Sequence, residues 1–326
     1  MRRKSMSRVL KALLAAAALA FGGPGVAGES INLSIATGGT GGVYYPLGGG
    51  LANILSKAIP GMAATAEVTG GSVDNMRLIG TGKPYIAFTQ TDAAYDALRG
   101  EDKFKGKPIP VRTLAVAYPN RMHVVTIEGT GINKIDDIKG KRVSTGSPGS
   151  ATEVFAFRVI DAAGMHHDKD MRRERLGVAE SVNALKDRKI DAFFWVGGLP
   201  TAAVTDLGAS PGVKIKLIDI AHLVPAMVKK HGNIYIQDVI PKGTYPGQTT
   251  DNPQATVQNL VVAHENMSEQ LAYNITKAMF DHHKDLVAVH KEATSITFAN
   301  QKEANSALPW HPGALKFYKE KGVKMK

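Results

Sequence analysis

Residues 35–50 read IATGGTGGVYYPLGGG, with seven glycines and a Tyr-Tyr-Pro in sixteen positions. The stretch follows INLSIA, a short run with strand character from Ile31. It leads into Leu47, Leu51, Ile54, Leu55 and Ala58, which share one face of a helix. Glycine this dense between a strand and a helix lets backbone approach something closely: a nucleotide phosphate, a small acid, or another part of the chain. A dinucleotide fingerprint fails, because Gly39-Thr40-Gly41-Gly42-Val43-Tyr44 puts tyrosine where the third glycine has to pack. No acidic residue is expected to close the second strand at the distance that holds a ribose. No G-x-x-x-x-G-K-[ST] string occurs either. What remains is a glycine turn whose N–H groups face outward at the positive end of a helix dipole, a place for a small anion.

From Ile31 onward strand-like and helix-like segments alternate. YIAFTQ, RTLAVAY, HVVTI, KRVSTG and IDAFFW read as strands, and SVDNMRLIGTG, DAAYDALRG, ATEVFAFRVIDAAG, ESVNALKDRK and TAAVTDLG as helices. This alternation predicts an α/β protein with mostly parallel sheets and flanking helices. A weak repeat overlies it. TGGTGG at Thr37 matches TGSPGS at Thr145, SVDNM at Ser72 matches SVNAL at Ser181, and Ala87-Phe88 matches Ala192-Phe193, at spacings of 105 to 109 residues. Two similar lobes are expected, each opening with a glycine turn at a helix start.

Residues 1–27 differ in character. Arg2, Arg3, Lys4, Arg8 and Lys11 precede the apolar run ALLAAAALAF, and Gly25-Val26-Ala27 supplies small residues for a cleavage site. This is the layout of a secretory signal peptide, and the run is shorter than the roughly 20 residues that span a bilayer. The expectation is an exported, periplasmic chain. The formal charge is +11; the five basic leader residues account for part of it, leaving +6. Lys316, Lys319, Lys321, Lys324 and Lys326 belong to a solvated tail, and no basic run is interleaved with aromatics, so nucleic acid is not an expected partner. The chain has no cysteine, which removes disulfides and thiolate chemistry.

Several loops carry candidate ligand contacts. Thr37 adds a hydroxyl to the first glycine turn, and Pro46 suits a first helical turn. TGSPGSATE brings Ser147, Ser150 and Thr152, and Ser150 with Glu153 fits a capping box. TGGSVDN at Thr69 is another glycine turn into a helix, with Ser72 as its expected cap. Gln90-Thr91-Asp92 and Trp195-Val196-Gly197-Gly198 follow strands, at the carboxyl ends where open α/β sheets bind ligands. One of Tyr44 and Tyr45 is expected to face the ligand, Tyr44 being preferred, while the other packs into the lobe.

Taken together, ATGGTGGVYYPLGG, GSVDNMRLI, AFTQTDAAYDA, RVSTGSPGSATE and DAFFWVGGLPT, in this order, resemble the TAXI family of TRAP-transporter solute-binding proteins. The likeness runs from about Ile31 to the C-terminal HPGALKFYKEKG. It implies a two-lobed, type II-like periplasmic-binding-protein clamshell: a signal peptide over 1–27, lobe 1 over 28–120 and 258–326, and lobe 2 over 121–257. The chain would cross between lobes near Tyr118–Arg121 and Thr256–Val261. The implied function is capture of a small carboxylate, glutamate or a related C4–C5 dicarboxylate, and delivery to the membrane subunits of an ion-gradient-driven carrier. Carried over residue by residue, the binding positions are Thr37, Gly38, Tyr44, Ser72 and Gln90 from lobe 1, and Gly149, Ser150 and Thr152 from lobe 2. Trp195, with Gly197 beside it, departs from some relatives and bears on substrate size. The receptor is expected to be monomeric, without cofactor or metal, and not an enzyme.

Rival readings share the fold. A binding protein for an ABC importer or a sensor kinase uses the same clamshell. A periplasmic hydrolase needs a nucleophile and base, yet no G-x-S-x-G occurs and neither Ser147 nor Ser150 has a histidine partner in sequence. His166-His167 and His282-His283 are adjacent pairs, and neighbours on a helix point apart, so surface histidines are expected there.

Overall fold

The computed structural model describes residues 30–326; the leader expected over 1–27 lies outside the described residues. INLSIA forms β1 (Ile31–Ala36), and the glycine stretch turns into α1 (Tyr44–Ala58). Pro46 stands in the first turn of α1, where its missing N–H is not needed, and Leu47, Leu51, Ile54 and Leu55 bury one face. Then follow β2 (Met62–Glu67), α2 (Ser72–Ile79), β3 (Tyr85–Gln90) and α3 (Thr91–Arg99). Gly100 ends α3 in the left-handed region at φ 67°, as the sequence pattern predicts. The chain continues through β4 (Val111–Ile127), β5 (Arg142–Ser144), α4 (Ala151–Ala162), β6 (Arg172–Glu174), α5 (Val178–Lys186), β7 (Ala192–Gly197) and α6 (Ala202–Ala209). It ends with β8 (Ile215–Leu217), α7 (Val224–His231), β9 (Ile236–Ile240), β10 (Asn252–His264), α8 (Glu269–Asp281), α9 (His283–Val289), α10 (Glu303–Ser306) and α11 (Pro312–Glu320). Among the described residues no helix is long and apolar enough to cross a membrane.

The strands join in the order β2-β1-β3-β10-β4-β7-β5-β6, with β8 on β4 and β9 on β10. The repeat in the sequence is a repeat in topology. β1-α1-β2-α2-β3 is ordered β2-β1-β3, and β5-α4-β6-α5-β7 is ordered β6-β5-β7, with every pairing inside each unit parallel. The matched threonines occupy equivalent places: the Thr37 N–H donates to the Glu67 carbonyl and the Thr145 N–H to the Glu174 carbonyl, both at 3.0 Å. Between the two units run β4 and β10, antiparallel to each other and to their outer neighbours β7 and β3, so the centre of the sheet is mixed while its flanks are parallel.

Two expectations change here. RTLAVAY and HVVTI, read as separate strands, are one strand of 17 residues that passes through Pro119. Proline keeps an extended backbone but lacks a donor, and β10 shifts register between Gln258 and Leu260 beside it, which accommodates the gap. The second strand, expected to lack a closing acid, ends on Glu67. Its carbonyl takes both the N–H and the hydroxyl of Thr37, and Tyr44 still stands where a dinucleotide fingerprint needs glycine.

The buried apolar side chains divide along β4 and β10. One cluster joins β1–β3, α1–α3, β4 as far as Tyr118, β10 from Leu260 and the C-terminal helices, where Phe317, Tyr318 and Trp310 are buried. The others gather β4 from Met122, β10 up to Val257, β5, β7 and helices α4–α7. The C-terminal lysines are exposed, as expected of a solvated tail.

Helix α11 reaches this core through Gly313. A Cβ there would lie 2.1 Å from the Glu269 carbonyl oxygen and 2.7 Å from the Tyr273 nitrogen, both backbone atoms of α8 that cannot swing away. Gly313→Ala is therefore expected to destabilise the fold, the overpacking cost of about 1–3 kcal/mol exceeding the ~1 kcal/mol that alanine gains in a helix. Urea unfolding of the variant checks this, and an unchanged or higher midpoint would contradict the packing.

Candidate ligand-binding site

Four helices begin at one cavity of about 300 Å³ between the two βαβαβ units. Its lining includes Gly38–Gly41 and Tyr44 at the start of α1, Val68–Ser72 at α2, Gly146, Ser147 and Ser150–Thr152 at α4, and Leu176–Glu180 at α5. The first N–H groups of a helix have no acceptor inside it. Val43, Gly71 and Gly177 cap α1, α2 and α5 without any side-chain hydrogen bond, so only α4 has its own cap. The units touch across the cavity. The Asp74 N–H donates to the Gly149 carbonyl (3.0 Å), the Ser147 hydroxyl to the Gly70 carbonyl (3.1 Å), and the Ala203 N–H to the Gly41 carbonyl (3.3 Å).

Five of the seven glycines of the opening stretch divide by task. A Cβ on Gly42 would lie 3.0 Å from the Trp195 ring, and one on Gly41 3.2–3.4 Å from Ala203, Ala179 and Val178, so these two let the opposite unit close in. Gly48 and Gly50 fit α1 against Thr37 and Val289. Gly39 has nothing within 4 Å and opens onto the cavity.

Of the residues singled out in the sequence, Gly38, Tyr44, Ser72, Gln90, Ser150, Thr152 and Trp195 line the cavity. Gly197 lines a 30 Å³ recess beside it, with Asn120 and Trp195. Thr37 and Gly149 line neither. Thr37 is buried below the turn, its hydroxyl donating to the Glu67 carbonyl (2.7 Å). Gly149 sits at φ 78° against the Asp74 carboxylate, at the seam where the units meet. Ser72 is not the cap of α2 but its first residue, and its hydroxyl accepts the Gln90 N–H (3.1 Å). Ser150 caps α4 by accepting the Glu153 N–H, yet the other half of the capping box is missing, because the Glu153 carboxylate turns to Arg173 and Arg175. Tyr44 lines the cavity and donates to Asn259 Oδ1. Tyr45 does not pack into the lobe; it is 37 % exposed.

Residues that sequence reading passed over complete the site. Asn75 is fully buried and ties the loops together, its Nδ2 donating to the Thr37 and Phe88 carbonyls, each at 2.7 Å. Leu176–Glu180 was legible only through the SVDNM/SVNAL repeat, which places the start of α5 opposite that of α2. Trp195 is held from behind: its Nε1 donates to Thr201 Oγ1 (2.9 Å), the Thr201 N–H donates to the Tyr245 hydroxyl (3.1 Å), and that hydroxyl meets His123 Nε2 (2.8 Å). Nδ1 of His123 pairs with the Arg121 carbonyl (2.9 Å), which fits a neutral ring protonated on Nδ1 with Tyr245 donating to Nε2.

Electrostatically the cavity is unusual for an anion site. Among the described residues no lysine, arginine or histidine lines it, and its one charged lining residue is Glu180. Gln90 is 4 % exposed and its Oε1 has no hydrogen-bond partner; Asn259, opposite Gln90 in the β3–β10 pairing, has an unpartnered Nδ2. Burial raises the Tyr44 phenol well above its ordinary range, so it remains a neutral donor.

The histidine pairs lie elsewhere. His166 and His167 are not on a helix but in the turn after α4, where their rings stack with centroids 4.7 Å apart and, with Asp168, bring three donor atoms within 4.8 Å of one another. Lys103 and Arg173 stand over the Phe157 ring on which His167 stacks, a cationic surrounding unsuited to a metal ion. His282 and His283 lie at the junction of α8 and α9.

A family model described as the NMT1-like family matches residues 35–322, and the chain belongs to that family. Solved structures show its fold to be that of the periplasmic binding proteins. MatC from Rhodopseudomonas palustris, solved with bound malate, aligns at a TM-score of 0.52 and 13 % identity over 81 % of this chain and 88 % of that one. The periplasmic binding protein BugD aligns at 0.50 and 12 % over 91 % and 99 %. A protein from Bordetella bronchiseptica RB50 aligns at 0.50 and 17 % over 89 % of each chain.

Two expectations follow from the site. Thr37→Val removes the hydrogen bond to Glu67 and lowers stability by about 1 kcal/mol in denaturant unfolding; an unchanged midpoint would contradict the buried role. Burial holds the His123 imidazole down at about 4, below its ordinary value of 6.5. The unfolded chain therefore binds the extra proton first, so this contribution to stability is whole above pH 6.5 and is lost as pH falls toward 4. An NMR titration in which the His123 ring protonates near 6.5 would overturn that assignment.

Proposed function

We propose that this chain is a periplasmic solute receptor that closes two lobes on a small carboxylate, glutamate or a related C4–C5 dicarboxylate being the class its TAXI-like motifs suggest. One observation carries the reading: three helices without side-chain caps start at the same cavity, offering backbone N–H groups and the positive ends of their dipoles to an anion. In this reading residues 28–120 and 258–326 form one lobe after the leader 1–27, and 121–257 the other, with β4 near Tyr118–Arg121 and β10 near Thr256–Val261 as hinges. Gly38, Tyr44, Ser72 and Gln90 receive the ligand from the first lobe, and Ser150, Thr152 and Trp195 from the second, while Thr37, Gly149 and Gly197 hold the loops that present them.

A ligand docks on one set of loops while the lobes are apart. Closure adds the other set of amides and removes water, which strengthens each charge-assisted hydrogen bond. The ligand shifts the equilibrium only as far as it prefers the closed form. That difference is what a membrane partner reads. The export-type leader and the motif set favour delivery, as a monomer, to an ion-gradient-driven TRAP carrier over an ABC importer or a sensor kinase. MatC, of the same fold, was solved with malate, a small carboxylate, in keeping with this ligand class.

Calorimetric titration of the chain, unfolded and refolded to strip carried-over ligand, tests the reading with glutamate, glutamine, 2-oxoglutarate, succinate, malate and phosphate. One-to-one binding of a carboxylate is expected, and Trp195→Ala is expected to change which carboxylate is preferred. A folded sample silent across the panel would sink the proposal.

A further inference from the structure

Resting on the receptor reading above but departing from the C4–C5 dicarboxylate class that the motifs suggest, we infer that the cavity selects a monocarboxylate that carries a hydrogen-bond donor and an apolar chain, in preference to a dianion. Three features of the lining point the same way. The first is charge. With no lysine, arginine or histidine among the described lining residues, the attraction for an anion comes from helix starts alone, each equivalent to roughly half a positive charge. Two of those starts already hold acids of their own. Asp74 lies in the first turn of α2, paired with Arg77, and Glu180 in the first turn of α5 brings its carboxylate back over Gly177. The starts without a carboxylate turned onto them are α1, whose first turn has no acid, and α4, whose Glu153 faces Arg173 and Arg175. One ligand carboxylate is matched; a second meets a lining whose one charged residue among the described residues is Glu180, and finds no counter-charge there.

The second feature is Gln90. It lines the cavity, its Oε1 is buried with no partner, and its backbone N–H is bonded to Ser72, at the start of α2. An acceptor held there without a partner costs free energy that a ligand hydroxyl or N–H restores. A ligand carboxylate oxygen, an acceptor itself, cannot do so. The third feature is the apolar share of the wall, Val68, Leu176, Val178, Trp195 and Val196, which a carbon chain covers and a short dicarboxylate does not.

Three probes separate these terms in titrations of the refolded full chain: 2-hydroxy-4-methylpentanoate, the same acid without its hydroxyl, and 2-hydroxyglutarate. The hydroxy monoacid is expected to bind about tenfold more tightly than the acid lacking the hydroxyl, as loss of one hydrogen bond to a buried acceptor implies, and more tightly than the dianion. Gln90→Met, close in size but without the acceptor, is expected to bring the two monoacids to within about twofold of each other. Tighter binding of 2-hydroxyglutarate, or a hydroxyl preference that survives Gln90→Met, would overturn the inference while leaving the receptor reading intact. If none of the three probes binds and the wider carboxylate panel is also silent, both fall together; if the panel binds and the monoacids do not, only the inference falls.

Discussion

Backbone amides at a helix start must find an acceptor, and four helices here begin at the same place. The first N–H groups of α1, α2 and α5 have no capping side chain, and they face a cavity where the two units meet. A buried donor left without a partner costs about 1–3 kcal/mol, so in the proposed closure a ligand with acceptors favours the closed form. A ligand anion satisfies several of these groups at once. The rest of the molecule makes the convergence possible: glycines 41 and 42 let α1 and its turn approach Trp195 and α5, Gly149 lets the α4 turn meet Asp74, and Asn75 ties the ends of β1 and β3 together.

The topology explains why the helix starts converge. Each βαβαβ unit places its first strand in the middle and sends both helices from the carboxyl ends of the strands toward the same edge. The two units sit on opposite sides of β4 and β10, so those edges face each other. β4 and β10 belong to both halves of the core, apolar contacts changing from one cluster to the other between Tyr118 and Met122 and between Val257 and Leu260. Two strands are thus the continuous connection through the sheet, and in the proposed closure they are where a small change in backbone angles would turn one unit against the other.

The alternation of strands and helices, and the glycine turns between them, were legible in the sequence because each rests on local pattern: buried β-branched runs, one-sided apolar faces, and glycine after a strand. The internal repeat was legible for the same reason and proved to be a repeat of topology. What the sequence hid was long-range. Nothing local shows that Pro119 lies inside a continuous strand, since the register shift that accommodates it is on β10, far along the chain. Thr37 looked like a ligand contact because it stands beside the glycines, but its hydroxyl is spent on a carbonyl of the neighbouring strand. Glu153 looked like half of a capping box, and Arg173 and Arg175, 20 and 22 residues along the chain, claim it instead. The same blindness applied to Gln90 in reverse: its position after a strand was visible, while its unpartnered oxygen depends on everything packed around it.

In the proposed function the two units close on a ligand held at the helix starts. The chain has no cysteine, so a spin-label pair can be introduced cleanly at Lys57 and Asp187, exposed positions near the far ends of α1 and α5. Pulsed electron resonance then reads the distance between the units directly. A broad or longer distribution is expected in the stripped chain, collapsing to one shorter distance when a bound carboxylate saturates the site. A distribution that stays the same with and without a carboxylate that binds would contradict closure.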